Sequence, residues 1–197
     1  MVPSVFKRVA DELKQLPGIG PKSAERIIFF LLSTKKERGI ALAEAISDLI
    51  KRTSACKNCG LVSEYNPCRI CSSPNRDRNL ICLVKGVQDA LSIERSRAFK
   101  GLYHVLGGLL PSDGNEEGLN IAGLINRLEG KKEIVFAFES CMEAEQTIAL
   151  VIDKVKSSGK NQTIFSRMAI GIPIGASLEY VDDDTIRQSL NNRYGLH

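Results

Sequence analysis

The recurrence of apolar positions along the chain changes period once. From Ser4 to Thr53 they return every three or four residues, the spacing of helices with one apolar face. Ser4 is placed to cap a first helix carrying Val5, Val9, Leu13 and Leu16 on one side, with Phe6 beside them. Leu16-Pro17-Gly18-Ile19-Gly20-Pro21 must end it, because two prolines and two glycines do not carry a helix onward. Pro21 suits the first position of a second helix, which reaches Ser33-Thr34 with Ala24, Ile27, Ile28, Leu31 and Leu32 apolar. A third helix is expected over 37–53, with Leu42, Ala45, Ile46, Leu49 and Ile50 facing inward.

Beyond residue 79 the pattern shortens. Leu80 to Val84 is a continuous apolar run of strand length, as expected of a strand covered on both faces. Further strands are predicted at 103–106, 133–138 and 163–165, with helices at 87–95, 119–128 and 141–156. Strands alternating with helices imply parallel pairing, so the fold class is α/β. Between the two regimes, only Leu61, Val62, Tyr65 and Ile70 are large and apolar from Ala55 to Ser72, and 72–79 reads as a polar linker. The expected domains are a helical one over 1–55, a small module at 56–78, an α/β domain over 79–167 and a closing segment over 168–197.

Composition adds limits. At 197 residues, 43% hydrophobic and 25% charged, the chain resembles an ordinary globular protein, and no apolar run approaches the roughly 18 residues of a membrane span. No secretory signal opens it, so a reducing cytoplasm is expected. The net charge of +4 is uneven: residues 1–55 hold ten Lys/Arg against six Asp/Glu, while 79–197 hold thirteen against fifteen. A polyanion partner is thus better sought in the N-terminal third.

The cysteines carry the sharpest signal. Cys56-x-x-Cys59 and Cys68-x-x-Cys71 lie eight residues apart, close enough for four thiolates to meet at one tetrahedral Zn²⁺. Gly60 fits the positive-φ turn such a knuckle needs, and a segment this poor in apolar residues needs a staple. Two disulfides or four unconnected thiols are the alternatives. Cys82 and Cys141 lie beside strand-like runs and are read as buried structural thiols.

In the N-terminal third the turn matters more than the helices. Gly18 and Gly20 free the backbone to approach a phosphate, beside the positive end of the second helix, and Lys22 and Arg26 share one face next to it. The pattern matches a helix-hairpin-helix motif that grips DNA backbone without reading bases. A tight helical hairpin whose glycines serve only packing is the alternative. In the α/β region, metal-dependent phosphoryl chemistry would want acids at strand C-termini. The first strand instead ends in Lys85-Gly86, the third ends in Glu139, and Glu143 and Glu145 follow. Asp182-Asp183-Asp184 is read as a helix start, and no phosphate-binding Gly-x-x-x-x-Gly-Lys-Ser/Thr is present.

Taken in order, these parts resemble the RecR family of bacterial recombination mediators. The resemblance rests on Leu16-Pro-Gly-Ile-Gly-Pro-Lys-Ser-Ala-Glu-Arg26, the four cysteines, Gly171-Ile-Pro-Ile-Gly175 and Leu178-Glu-Tyr-Val-Asp182. It implies a helix-hairpin-helix domain, a four-cysteine zinc finger and a Toprim-type α/β domain with a C-terminal closing motif. It further implies binding of single- and double-stranded DNA, action with RecO and RecF to load RecA on gapped or protein-coated DNA, and assembly into dimers and a ring-shaped tetramer. No enzymatic activity is implied; a Toprim-type metal-dependent nuclease or primase is the alternative. The chain departs from the family at Lys85, where the first strand usually ends in Glu, and at Ala176, where the closing motif has Gly. Glu143 and Glu145 persist and are candidates for docking a partner such as RecO.

Overall fold

The computed structural model describes residues 3–130 and 132–195, which form two compact units, one up to Thr53 and one from Ser54 onward. The first holds three helices: α1 (Ser4–Lys14), α2 (Pro21–Ser33) and α3 (Lys36–Arg52). Pro3, not Ser4, takes the N-cap of α1, and no side chain caps it; Phe6 N–H donates directly to the Pro3 carbonyl at 3.0 Å. Gly20 caps α2 and Pro21 opens it. Only Ala24 and Ile28 are fully buried among the described residues of this unit. The inward face expected of α3 is not buried: Leu42, Ile46, Leu49 and Ile50 are about half exposed or more, because two neighbouring helices offer too little surface to cover a third apolar stripe.

The second unit is built on a parallel four-stranded sheet in the order β4-β3-β5-β6, with β3 (Asp77–Val84), β4 (Gly101–Val105), β5 (Glu133–Ala137) and β6 (Ile164–Arg167). Central β3 sends Ile81 and Leu83 to one face and Cys82 and Val84 to the other, and all four are buried, as its unbroken apolar run requires. On the first face, α6 (Ile121–Ile125) and α7 (Met142–Ser157) close a core with Leu124, Leu128, Ile134, Phe136, Val151 and Val155. On the second, α5 (Val87–Ser96) and the cysteine module pack against Cys82, Val84, Tyr103 and Val105.

That module comprises a short antiparallel pair, β1 (Ser54–Ala55) with β2 (Val62–Ser63), and the single turn α4 (Arg69–Ser72). It lies against the edge strand β4, where Val105 N–H donates to the Cys59 carbonyl at 2.8 Å. All five residues of β4 are buried, so the module removes an open sheet edge.

Three further expectations need correction. Residues 77–79 are the start of β3 rather than linker, and Arg76 before them is anchored by the Glu94 carboxylate and the carbonyls of Phe99 and Gly101. The helix expected over 119–128 is regular only at Ile121–Ile125, started by the Asn120 side chain accepting from Gly123 N–H. Cys141 is half-buried, not buried, because it caps α7 from the turn after β5 instead of lying in a strand. Cys82 is buried as expected, and desolvation pushes its thiol up to about 12. The last helix, α8 (Asp183–Asn191), starts where the aspartate run placed it: Asp182 accepts from Thr185 N–H at 2.8 Å.

Candidate metal centre and nucleic-acid interface

The two knuckles arise from local backbone demands. Cys56 N–H donates to the Leu61 carbonyl and Gly60 N–H to the Cys56 carbonyl, each at 2.8 Å, so the first Cys-x-x-Cys closes on itself. Gly60 sits at φ +77°, and a Cβ there would also lie 3.0 Å from Val105 Cβ; turn and close approach both demand glycine. In the second knuckle, Cys68 caps α4 and its sulfur accepts from Cys71 N–H at 3.4 Å.

The four sulfurs are buried and lie within 4.8 Å of one another, with Cys59 and Cys68 at 3.6 Å. A tetrahedral ion bonded at about 2.3 Å would set sulfur–sulfur spacings of roughly 3.8 Å, so the cage fits a metal of that size. Among the described residues no other group of three or more His, Cys, Asp or Glu side chains is gathered this way. Burial opposes ionisation of Cys56, yet backbone N–H groups of Cys68, Asn58 and Cys59 outweigh it and bring the thiol down to about 7. Cys59 is held up as a thiol by its hydrogen bond with Cys71 and by desolvation.

The hairpin turn has a different character. Gly18 needs its positive φ of +79°, but Gly20, at φ −86°, does not. A Cβ at either would meet nothing within 4 Å. Packing inside the unit therefore gives no reason for glycine at position 20. Lys22 and Arg26 are exposed and make no ion pair among the described residues, and the opening N–H groups of α2 have no intrahelical acceptor.

At the C-terminal ends of the strands, the ions pair among themselves. The Lys85 ammonium, after β3, donates to the Glu139 carboxylate after β5. Arg167, ending β6, lies 2.7 Å from Glu145 in the first turn of α7. Lys85 holds the Glu139 carboxyl below the usual carboxylate range. Glu143 stands in the same turn as Glu145, and Asp89 accepts from Gly86 N–H at 3.0 Å. Residues placed so do not fit a divalent cation: an ammonium stands among the carboxylates that would ligate it. Sequence reasoning singled out Lys85, Glu139, Glu143 and Glu145 but missed Arg167. Its partner lies 22 residues away, and no local pattern signals such a pair.

Comparison with known proteins follows the same division. Residues 6–50 match the family model described as RecR, helix-hairpin-helix; 79–165 match the Toprim domain; 171–194 match RecR, C-terminal. Among similar proteins, the recombination protein RecR of Thermus thermophilus is 42% identical over 193 residues, covering 97% of each chain. That of Bifidobacterium longum is 41% identical over 192 residues, 95% of this chain and 94% of the relative. That of Staphylococcus saprophyticus is 37% identical over 195 residues, 97% of each.

Proposed function

The chain belongs to the RecR family of recombination proteins, and on that premise we propose that it binds DNA through the α1–α2 hairpin as a non-enzymatic mediator of recombinational repair. The observation that carries this is Gly20. Gly20 leaves the backbone ahead of α2 bare, and a Cβ there would meet nothing within 4 Å, so a group from outside can come close to it. A phosphate does so: amide groups of Gly18, Gly20 and the first turn of α2 donate to its oxygens, and Lys22 and Arg26 add charge on the same side. Contacts to phosphate alone make binding independent of base sequence, on single or double strands.

The four cysteines hold one structural Zn²⁺ in this reading, which contributes stability and no chemistry. The action implied by the family likeness is loading of RecA with RecO and RecF, with Glu143 and Glu145 on the partner-facing surface. Self-assembly to dimers and a ring-shaped tetramer is supported by the uncovered apolar face of α3. Several hairpins on one DNA would convert a modest grip into an avid one. The nuclease or primase alternative is disfavoured by Lys85 standing among the strand-end acids.

Fluorescence anisotropy with labelled DNA of unrelated sequences tests the reading. Gly20→Ala should fold normally, with α2 less stable by about 1 kcal/mol or less, yet bind every sequence about tenfold more weakly. Undiminished binding by Gly20→Ala and by Lys22→Ala/Arg26→Ala together would remove the hairpin from the interface.

A further inference from the structure

The strand-end face of the α/β unit matches a Toprim domain, a fold whose acids are suited to hold a divalent cation, yet its charges are arranged against one. We propose that this face is a fixed-ion surface: Lys85 and Arg167 take the place of a divalent cation, and the face works without Mg²⁺ or Mn²⁺.

Three observations converge on it. The register places Val84 beside Ala137 and Phe136 beside Arg167, so the residues leaving β3, β5 and β6 emerge side by side. Across that row cation and carboxylate alternate: Lys85 with Glu139, then Arg167 with Glu145. Glu139 and Glu145, the carboxylates flanking Glu143, are thus each engaged by a cation of the chain itself. Moreover, α5 and α7 both begin at this edge and direct the positive ends of their dipoles toward it. A divalent ion would have to displace Lys85, break its pair with Glu139 and face two helix N-termini, while Asp89 at the start of α5 already accepts from Gly86 N–H.

Tethered cations also give a consequence an exchangeable ion would not. Their charge is always present, so whatever docks on this face meets the same pattern at any Mg²⁺ concentration. The inference is independent of DNA binding by the hairpin, since it concerns the other unit and is tested without DNA.

The test titrates the full-length, zinc-loaded protein with Mn²⁺, read by electron paramagnetic resonance of free Mn²⁺ and by the melting temperature. The native chain should take up no stoichiometric Mn²⁺ at about 1 mM and show no Mn²⁺-dependent stabilisation. Lys85→Glu, which removes the tethered cation and adds a ligand, should gain one site with a dissociation constant of about 1 mM or tighter. Lys85→Gln, the milder change should the first not fold, should gain a weaker one. Adding Glu139→Gln to either should abolish the gain. Stoichiometric Mn²⁺ binding by the native chain that is lost in Glu139→Gln or Glu143→Gln overturns the proposal. So does failure of both Lys85 variants to gain binding while folded.

Discussion

Helices α3 and α7 are 17 and 16 residues long, both carry an apolar stripe, and they meet opposite fates. Ala144, Thr147, Val151 and Val155 of α7 are buried against the sheet, whereas α3 buries no residue at all, and its Leu49 and Ile50 remain 62% and 72% exposed. A stripe records that a helix is to be covered; it does not record by what. The sheet supplies α7 with a wide apolar surface inside the same chain. The helical unit offers α3 only α1 and α2, so its surplus apolar surface stays exposed. One unit is stabilised by its own core; the other is exposed and basic, as a binding element would be.

The largest expected effect falls on the cysteine module. Metal removal, or Cys68→Ser, should cost the α/β unit about 4 kcal/mol or more, because the module closes the β4 edge and fills one core face. The helices of 3–53 should keep their circular dichroism while the sheet melts early. A melt unaltered by chelation would erase the distinction between the units.

Next comes the core contrast itself. Val151→Ala should destabilise by about 2–3 kcal/mol in a denaturant melt, since it opens a cavity at a fully buried position. Leu49→Ala should change that melt by less than about 0.5 kcal/mol in dilute solution, yet weaken self-association measured by sedimentation. Equal destabilisation by the two would mean that α3 has a core of its own.

A smaller effect depends on pH. His104 is fully buried in β4, with Nε2–H donating to the Asn120 carbonyl at 2.8 Å and Nδ1 accepting from Arg127 at 3.2 Å. Desolvation chiefly, with the Arg127 charge adding to it, lowers its pKa from 6.5 to about 4. Between those values the unfolded chain binds a proton that the folded chain refuses, so stability falls as pH drops from 6.5 toward 4. A denaturant melt followed across that range should show the loss, and His104→Gln should flatten that part of the stability–pH curve. The helical unit has no histidine among its residues and should not share the effect.

Much of this was visible along the chain, for physical reasons. Apolar runs and periods located the strands and helices, because burial on two faces or one leaves different patterns, and the Cys spacing located the cage. What stayed hidden was long-range. The docking of Cys59 on Val105, the Arg76–Glu94 anchor and the Arg167–Glu145 pair join residues far apart in sequence. The half-exposed place of Cys141 is hidden because a short apolar neighbourhood does not reveal a helix cap. The exposure of α3 could not be foreseen, since its pattern is that of any amphipathic helix.

The central claim, that the exposed basic unit grips DNA phosphates through the Gly18–Arg26 turn, is tested most directly by the salt dependence of DNA affinity. Plotted as log K against log salt concentration, native binding should fall steeply, and Lys22→Ala/Arg26→Ala should reduce the slope by about 2, one for each lost phosphate contact, on any sequence. Parallel lines for the two proteins would contradict the account.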